Sequence, residues 1–262
     1  MCGILGWAGP GAPPFSRERF EEALTLLQHR GPDDVGVWSS DGVMLGHRRL
    51  SIIDLTAAGH QPMRSASGRT QIVFNGEIYN YLELREELQG ANSQWTGGSD
   101  TSVLLEMLER HGTAALPRLN GMWAVGTWDS VRRTLFLSRD RFGIKPLYYR
   151  LDGDGIAFAS EPKALLALYP ENRRMCSKTM LDFLAYNQLF AGKESFYEGI
   201  HVLPPAHFAT FDSSRNTLKM QRYWEYPLDT NQSISIEAAV GEFQNFFDDA
   251  VRVRLRGDVP VG

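Results

Sequence analysis

Apolar residues recur every three to four positions in three segments of the first half of the chain, which is the period of an amphipathic helix. The segments are residues 16–30, 80–88 and 100–111. The first begins at Ser16, a common helix cap, and is followed by the stop signal Gly31-Pro32. In the second, Asn80 and Glu83 have the spacing of a capping box. The sequence therefore predicts three helices, each with an apolar face that lies on a sheet.

Other apolar segments are shorter and rich in β-branched and aromatic residues, which is typical of strands. They are residues 2–8, 49–54, 71–74, 122–128, 134–138 and 156–160. Runs such as Leu135-Phe136-Leu137 are apolar on both faces, so each sheet is expected to be covered on both sides. The short link at residues 129–133 favours antiparallel pairing over helical crossovers. These patterns predict stacked antiparallel sheets with helices outside, an α+β fold.

The chain changes character after about Tyr226. Residues 228–233 are polar and are expected to form a linker. Residues 235–256 have the helical period, with Phe243, Phe247 and Val251 on one face. This long helix either docks on the preceding domain or begins a second unit, in which case its apolar face is exposed until something covers it.

Composition and charge narrow the classes of function. With 262 residues and a net charge of −4, the chain has no basic excess for binding nucleic acid. Its two cysteines cannot form a disulfide framework, and no apolar run approaches the roughly 18–20 residues of a membrane span. The histidines lack metal-ligand spacing, so no metal site is predicted. We expect a protein of the reducing cytosol, without a secretory signal, that binds neither nucleic acid nor membrane.

The second residue is the first candidate for chemistry. Removal of Met1 would leave Cys2 with a thiol and a free α-amine on the same residue. The ordinary pKa of a thiol lies near that of an α-amine, so the amine can take the thiol proton near neutral pH and create a nucleophile. The alternative is that Cys2 is a small buried thiol at the start of a strand.

The segment Asn75-Gly76-Glu77 is the second candidate, because it directly follows a predicted strand. The Asn75 amide and the Gly76 N–H could both donate to an oxyanion that forms during acyl transfer. The alternative is that Asn-Gly marks an ordinary hairpin turn.

Two charged residues lie at the ends of predicted elements. Arg49 could offer its guanidinium fork to a carboxylate, or could be a surface arginine at a strand end. Asp100 could hold an ammonium group, or could merely cap the third helix. Taken together, the candidates describe a pocket for an α-amino acid whose side-chain amide is attacked.

At this point the sequence resembles a known family. The matching segments, in order, are Cys2-Gly3-Ile4, His29-Arg30-Gly31-Pro32-Asp33, Arg49-Leu50-Ser51-Ile52-Ile53-Asp54, Gly59-His60-Gln61-Pro62-Met63, Asn75-Gly76-Glu77-Ile78-Tyr79-Asn80, Gly98-Ser99-Asp100, Phe142-Gly143-Ile144-Lys145-Pro146-Leu147-Tyr148-Tyr149 and Phe158-Ala159-Ser160-Glu161-Pro162-Lys163-Ala164-Leu165. They resemble the N-terminal class II glutamine amidotransferase domain of glutamine-dependent asparagine synthetases. The resemblance covers at least residues 2–165.

The resemblance implies an N-terminal-nucleophile hydrolase with a four-layer αββα sandwich. It implies that Cys2 is the nucleophile and that Asn75 and Gly76 form the oxyanion hole. The thiolate would attack the side-chain amide of L-glutamine, ammonia would leave, and water would hydrolyse the resulting thioester. This glutamine hydrolysis is expected to need no cofactor.

The resemblance also assigns the residues that bind glutamine. Arg49 would hold the carboxylate, Glu77 and Asp100 would receive the α-ammonium, and the backbone near Ile53 would line the pocket together with the oxyanion residues. Arg30 is assigned only to loop ordering.

The same family supplies an expectation for the rest of the chain. Residues 1–226 would be the glutaminase domain, 227–234 a linker, and 235–262 the first helix of an ATP-dependent synthetase domain. The segment 255–262 resembles the residues that precede the family's ATP loop, so the synthetase half, with its ATP and Mg²⁺, is expected to be missing here. The full-length protein would make asparagine in the cytoplasm, with a homodimer as one arrangement. The alternatives are ammonia supply to another acceptor, such as a sugar acid or a natural-product carboxylate, and a non-catalytic relic.

Overall fold

The structure, a computed structural model, describes residues 1–90, 98–171, 173–187, 192–228 and 233–259. Part of the predicted linker, residues 229–232, lies outside the described residues, as do residues 260–262 at the end of the chain.

The strands of the described residues follow one another along the chain with few helices between them. They are β1 Gly3–Ala8, β2 Asp34–Ser40, β3 Val43–Arg49, β4 Met63–Arg64, β5 Thr70–Ile78, β6 Gly121–Asp129, β7 Thr134–Arg139, β8 Tyr148–Asp152, β9 Gly155–Ala159, β10 His201–Val202, β11 His207–Asp212 and β12 Thr217–Arg222. They form two six-stranded sheets, in the orders β10-β8-β9-β1-β3-β2 and β12-β11-β7-β6-β5-β4. Every strand pair is antiparallel, as the short links predict.

The helices are α1 Arg17–Thr25, α2 Tyr81–Gly90, α3 Asp100–His111, α4 Pro162–Leu168, α5 Ser177–Tyr186 and α6 Ile236–Arg254. Short 3₁₀ turns lie at Ala57–Gly59 and Gly112–Arg118. Helices α1 and α4 pack on the outer face of the sheet that contains β1. Helices α2 and α3 pack on the outer face of the other sheet.

The two sheets pack against each other through a buried apolar layer that includes Ile4, Leu45, Val73 and Trp128. Along β1 the neighbouring side chains alternate, so Ile4 faces the second sheet whereas Leu5 faces the helices. This alternation explains why the strands are apolar on both faces. The predicted four-layer αββα sandwich is confirmed.

The strand that carries Arg49 differs from its predicted bounds. The strand predicted at 49–54 lies earlier, because β3 ends at Arg49 and the following residues form a loop in which Asp54 has a left-handed φ of 58°. The apolar residues of that loop line a cavity rather than a sheet. The alternative of a hairpin turn at Asn75 and Gly76 is wrong, since both residues lie within β5 and pair with Ala124 and Trp123 of β6.

The helix caps differ from the predicted ones in part. Ser16 caps α1 as predicted, with its side chain accepting from Arg19 N at 3.3 Å, although regular helix ends at Thr25. The capping box at Asn80 is wrong. The Asn80 side chain instead binds the chain before β6, donating to Arg118 O and accepting from Asn120 N.

The apolar face of helix α6 is exposed to solvent. Phe243 and Phe247 are 67% and 58% exposed, so the helix does not bury this face against the described residues. Its C-terminal end packs on the domain, where Val253 is buried and the Arg254 guanidinium lies 4.8 Å from the Tyr79 ring centre. Among the described residues, no helix combines the length and apolar character that crossing a bilayer requires.

Candidate active site

A cavity of about 70 Å³ lies where β1, β3 and β5 meet the start of α3. The residues that line it are Met1, Cys2, Arg49, Leu50, Ile52, Ile53, Gly59, Gln61, Phe74, Asn75, Gly76, Glu77, Ser99, Asp100, Thr101 and Lys145. All the site residues predicted from the sequence are therefore brought to one cavity, although they are spread over about a hundred positions of the chain.

Cys2 lies directly before β1, and two neighbours hold it in place. The Leu50 N–H donates to its Sγ at 3.4 Å, and its carbonyl accepts from Arg30 Nε at 2.9 Å. Arg30 is anchored in turn by Glu161, whose carboxylate lies 2.8 Å from the guanidinium. Burial raises the pKa of the Cys2 thiol, so the thiol keeps its proton unless a base is present. Arg30 is therefore bonded directly to Cys2, which is a closer connection than the loop ordering that the resemblance assigned to it.

The chain terminus lies in the same cavity, since Met1 lines it. Burial is the main reason why the pKa of the terminal α-amine is lowered. An amine at this place is therefore more readily deprotonated near neutral pH, which is the form that can accept a proton. Removal of Met1 would leave the nitrogen of Cys2 as the terminal amine, on the same residue as the thiol.

Asn75 is fully buried in the wall of the cavity. Within the described part of the chain, neither its side-chain nitrogen nor its side-chain oxygen has a hydrogen-bond partner. An unpaired buried amide is costly, so such a group points to a ligand that satisfies it. Next to it, Gly76 leaves no room for a side chain, because a Cβ would overlap the Met122 carbonyl of β6.

Arg49 is buried at the end of β3 with its guanidinium on the loop that follows. It donates to Thr56 O at 3.1 Å, to Ile53 O at 3.3 Å and to Asp54 O. A surface role is excluded by this burial. The conformation of the loop decides where the fork points, and only part of the fork stays free for a ligand.

Two carboxylates face the cavity with different environments. Asp100 is buried and accepts from Ile78 N at 3.1 Å and Thr101 N at 2.7 Å. The cap of α3 is Ser99, whose side chain accepts from Ser102 N at 3.2 Å, so capping is not what Asp100 provides. Burial raises the pKa of Asp100 to about 7. Burial also raises the pKa of half-buried Glu77.

Lys145 is the main cavity residue that the sequence reasoning passed over. It is only 5% exposed and lines the cavity with Cys2 and Glu77. Its backbone is fixed from two sides, with its N–H donating to Asp140 at 3.0 Å and its carbonyl accepting from Arg139 Nε at 2.7 Å. The available signal was a single lysine inside the resembling segment 142–149. Its ammonium adds positive charge beside the thiol, where it opposes the charge of Glu77.

His47 is a buried histidine with a structural role. Its Nε2 lies 2.9 Å from Phe74 O and so links β3 of one sheet to β5 of the other. Burial lowers the pKa of His47 to about 4, so the ring is neutral near pH 7. In the described ranges, no group of three or more His, Cys, Asp or Glu side chains could hold a metal ion.

Comparison with known proteins agrees with this geometry. The glutamine amidotransferase domain family matches residues 1–224. The chain is 36% identical over its whole length to asparagine synthetase [glutamine-hydrolyzing] 3 of Bacillus subtilis and covers 42% of that protein. It is 34% identical over its whole length to putative asparagine synthetase [glutamine-hydrolyzing] 2 of Methanocaldococcus jannaschii and covers 54% of it. The chain thus spans about half the length of these relatives.

Among solved structures, the glutamine phosphoribosylpyrophosphate amidotransferase of B. subtilis has a TM-score of 0.63 at 19% identity, over 89% of this chain and 51% of that one. This likeness shows that the two chains share a fold over most of this chain. With the family match over most of its length, the chain belongs to the glutamine amidotransferase domain family.

Proposed function

We propose that this chain hydrolyses L-glutamine through a thioester on Cys2 and releases ammonia. The observation that carries the proposal is the side-chain amide of Asn75, which is buried without a partner among the described residues and lines the same cavity as the Cys2 thiol. A buried donor beside a nucleophile is what an oxyanion hole requires. Membership of the glutamine amidotransferase family supports the choice of glutamine.

In the proposed reaction, the α-amine of processed Cys2 takes the thiol proton, and the thiolate attacks the side-chain carbonyl carbon of glutamine. The carbonyl oxygen becomes an oxyanion held by Asn75 and Gly76. The amine then returns the proton to the leaving nitrogen, and ammonia departs to leave a γ-glutamyl thioester. Water, deprotonated by the same amine, hydrolyses the thioester to glutamate and restores the thiol.

The charged groups of the cavity suit the rest of an amino acid. The free part of the Arg49 fork would bind the α-carboxylate, with the Ile53 segment beside it. Glu77 and Asp100 also line the cavity. Their carboxylates, which are opposite in charge to an ammonium group, would bind the α-ammonium. Arg30 would keep Cys2 in place through its carbonyl.

Replacing Asn75 with alanine is expected to lower kcat for glutamine hydrolysis about a hundredfold while KM changes little. The reason is that the amide donates to charge that develops only in the transition state. Glutamate release measured over a range of glutamine concentrations separates the two constants. A thermal unfolding curve checks that the variant is folded, and a kcat within threefold of the parent chain would exclude Asn75 from the oxyanion hole.

The glutamine KM is expected to fall about tenfold between pH 6 and pH 8. In the empty site the pKa of Asp100 is raised to about 7, so below this pH the carboxyl is protonated. An ammonium group of the ligand favours the ionised form, so binding at low pH must release a proton and is weaker. Steady-state KM values across this range test the sign. In Asp100→Asn the slope is expected to flatten, and an unchanged slope would assign the titration to another group.

We further propose that residues 1–226 are the glutaminase domain, that 227–234 are a linker, and that 235–262 begin an ATP-dependent synthetase domain of a longer, cytoplasmic protein. Two relatives that this chain matches are named as asparagine synthetases, which supports aspartate as the acceptor of ammonia. ATP and Mg²⁺ would serve only that second domain. Asparagine formation by the full-length protein with aspartate, ATP and glutamine tests this acceptor.

A further inference from the structure

We propose that Asp258 is a positioning residue for the glutamine pocket, because it holds the loop that orients Arg49. This inference rests on the proposed function of that pocket. Asp258 follows α6, far along the chain from the other site residues, and does not line the cavity. It therefore acts through the loop rather than on the ligand.

Asp258 makes two hydrogen bonds to the pocket loop. Its backbone N–H donates to Ile52 O at 2.9 Å, and its carboxylate oxygen accepts from Asp54 N at 2.7 Å. The carbonyl of Asp54 accepts from the Arg49 guanidinium. One residue of the loop thus connects Asp258 on one side with the proposed carboxylate-binding fork on the other.

The loop also has bonds of its own on both sides of this contact, and before it the Ser51 N–H donates to the Asp33 carboxylate at 2.8 Å. The Asp54 carboxylate accepts from Thr56 N at 3.1 Å and from Thr56 Oγ1 at 2.6 Å, which closes the turn that follows. Asp54 itself has a left-handed φ of 58°, a conformation that is unfavourable for a residue other than glycine unless its surroundings hold it. Asp258 supplies that hold at the Asp54 N–H.

The segment 256–258, which we call the strap, is anchored to the opposite wall of the pocket as well. The Arg256 guanidinium pairs with both carboxylate oxygens of Glu83, at 2.6 and 2.7 Å, and donates to Tyr79 O at 2.5 Å. Tyr79 directly follows β5, which carries Asn75 and Glu77. The hydrogen bond from Arg256 lowers the pKa of Glu83 to about 2, so the Glu83 carboxylate is ionised at neutral pH. The strap therefore bridges the β5 wall and the Arg49 loop.

The proposal predicts a change in binding rather than in chemistry. Asp258→Ala is expected to raise the glutamine KM about fivefold to tenfold, since it removes one hydrogen bond and leaves the Asp54 N–H without its acceptor. kcat is expected to stay within twofold, because Cys2 and Asn75 are untouched. Asp258→Asn keeps an acceptor oxygen, so its KM is expected to stay within twofold of the parent chain. This rescue distinguishes the hydrogen bond from a general effect of charge.

Asp249→Ala is the matched control. Asp249 lies on exposed α6 in an ion pair with Arg252, and within the described ranges it accepts no hydrogen bond from the pocket loop, so its loss is expected to leave KM unchanged. Coupling through Arg49 is tested by the double variant Arg49→Lys with Asp258→Ala. If Asp258 acts by orienting Arg49, the second change is expected to raise KM by less than twofold once Arg49 is altered.

Hydrogen exchange separates this inference from the proposed function. Amides of residues 51–54 are expected to exchange faster in Asp258→Ala than in the parent chain or in Asp249→Ala. Unchanged exchange, a KM unchanged in Asp258→Ala, or equal losses of kcat in the alanine and asparagine variants would overturn the positioning role. A parent chain with free Cys2 that hydrolyses no glutamine would instead refute the proposed function, and the exchange result would still decide whether the strap holds the loop.

Discussion

Replacing Cys2 with alanine is expected to reduce glutamine hydrolysis by more than about a thousandfold, since the proposed thioester cannot form without the sulfur. The fold is expected to survive, because the hydrogen bonds that the described residues make to this side chain are two weak ones with the Leu50 backbone, at 3.4 and 3.6 Å. Ammonia or glutamate release measures the effect, and the melting temperature measures the fold.

Cys176→Ala provides the matched control, because this second cysteine lies before α5, away from the cavity. It is expected to keep full activity. Substantial hydrolysis by the Cys2 variant would show that a different group, such as an activated water, attacks the amide. Loss of activity in both variants together with loss of the folded state would instead point to a structural role for the thiols.

Keeping an N-terminal extension in front of Cys2 is expected to lower activity about a hundredfold or more. A lysine inserted between Met1 and Cys2 blocks removal of Met1 and turns the Cys2 nitrogen into an amide, which cannot take the thiol proton. The extra residues also stay in the cavity that Met1 already lines. Activity is compared between chains whose N-termini have been measured by intact mass spectrometry.

The control for this experiment restores the terminus. A cleavable extension that leaves Cys2 as the first residue is expected to recover the activity after cleavage, with the same sequence otherwise. If the extended chain is as active as the cleaved one, the α-amine is not the base, and Lys145, which lines the cavity beside the thiol, becomes the group to test.

These two experiments answer different questions. Loss of the sulfur tests whether the reaction passes through a covalent intermediate, whereas the extension leaves the sulfur in place and tests which group moves the proton. A non-catalytic relic would be indifferent to both changes. The two results therefore decide between an enzyme and a relic before the acceptor of ammonia is known.

Much of the architecture could be predicted because its signals are local. The apolar face of α3 and the two-faced apolar runs of β1, β6 and β7 follow from neighbouring residues, and the structure places these elements within a few positions of the predicted bounds. β3 was predicted too late in the chain because Gly46, His47 and Arg48 interrupt its apolar pattern. The ring of His47 is buried there with its Nε2 2.9 Å from the carbonyl oxygen of Phe74 in the other sheet. Local sequence does not reveal this contact.

The sequence by itself determined that one residue carries both a thiol and, after processing, an α-amine, since covalent connectivity alone places them together. It also determined the layered α+β class, because strands that are apolar on both faces must be covered twice. Only the tertiary structure decided that Asn75 is a buried strand residue without a partner in the described chain, that Arg49 takes its direction from the Asp54 loop, and that Asp258 holds this loop. Such contacts join residues as many as 204 positions apart, and no local pattern encodes them because packing of the complete sandwich creates them.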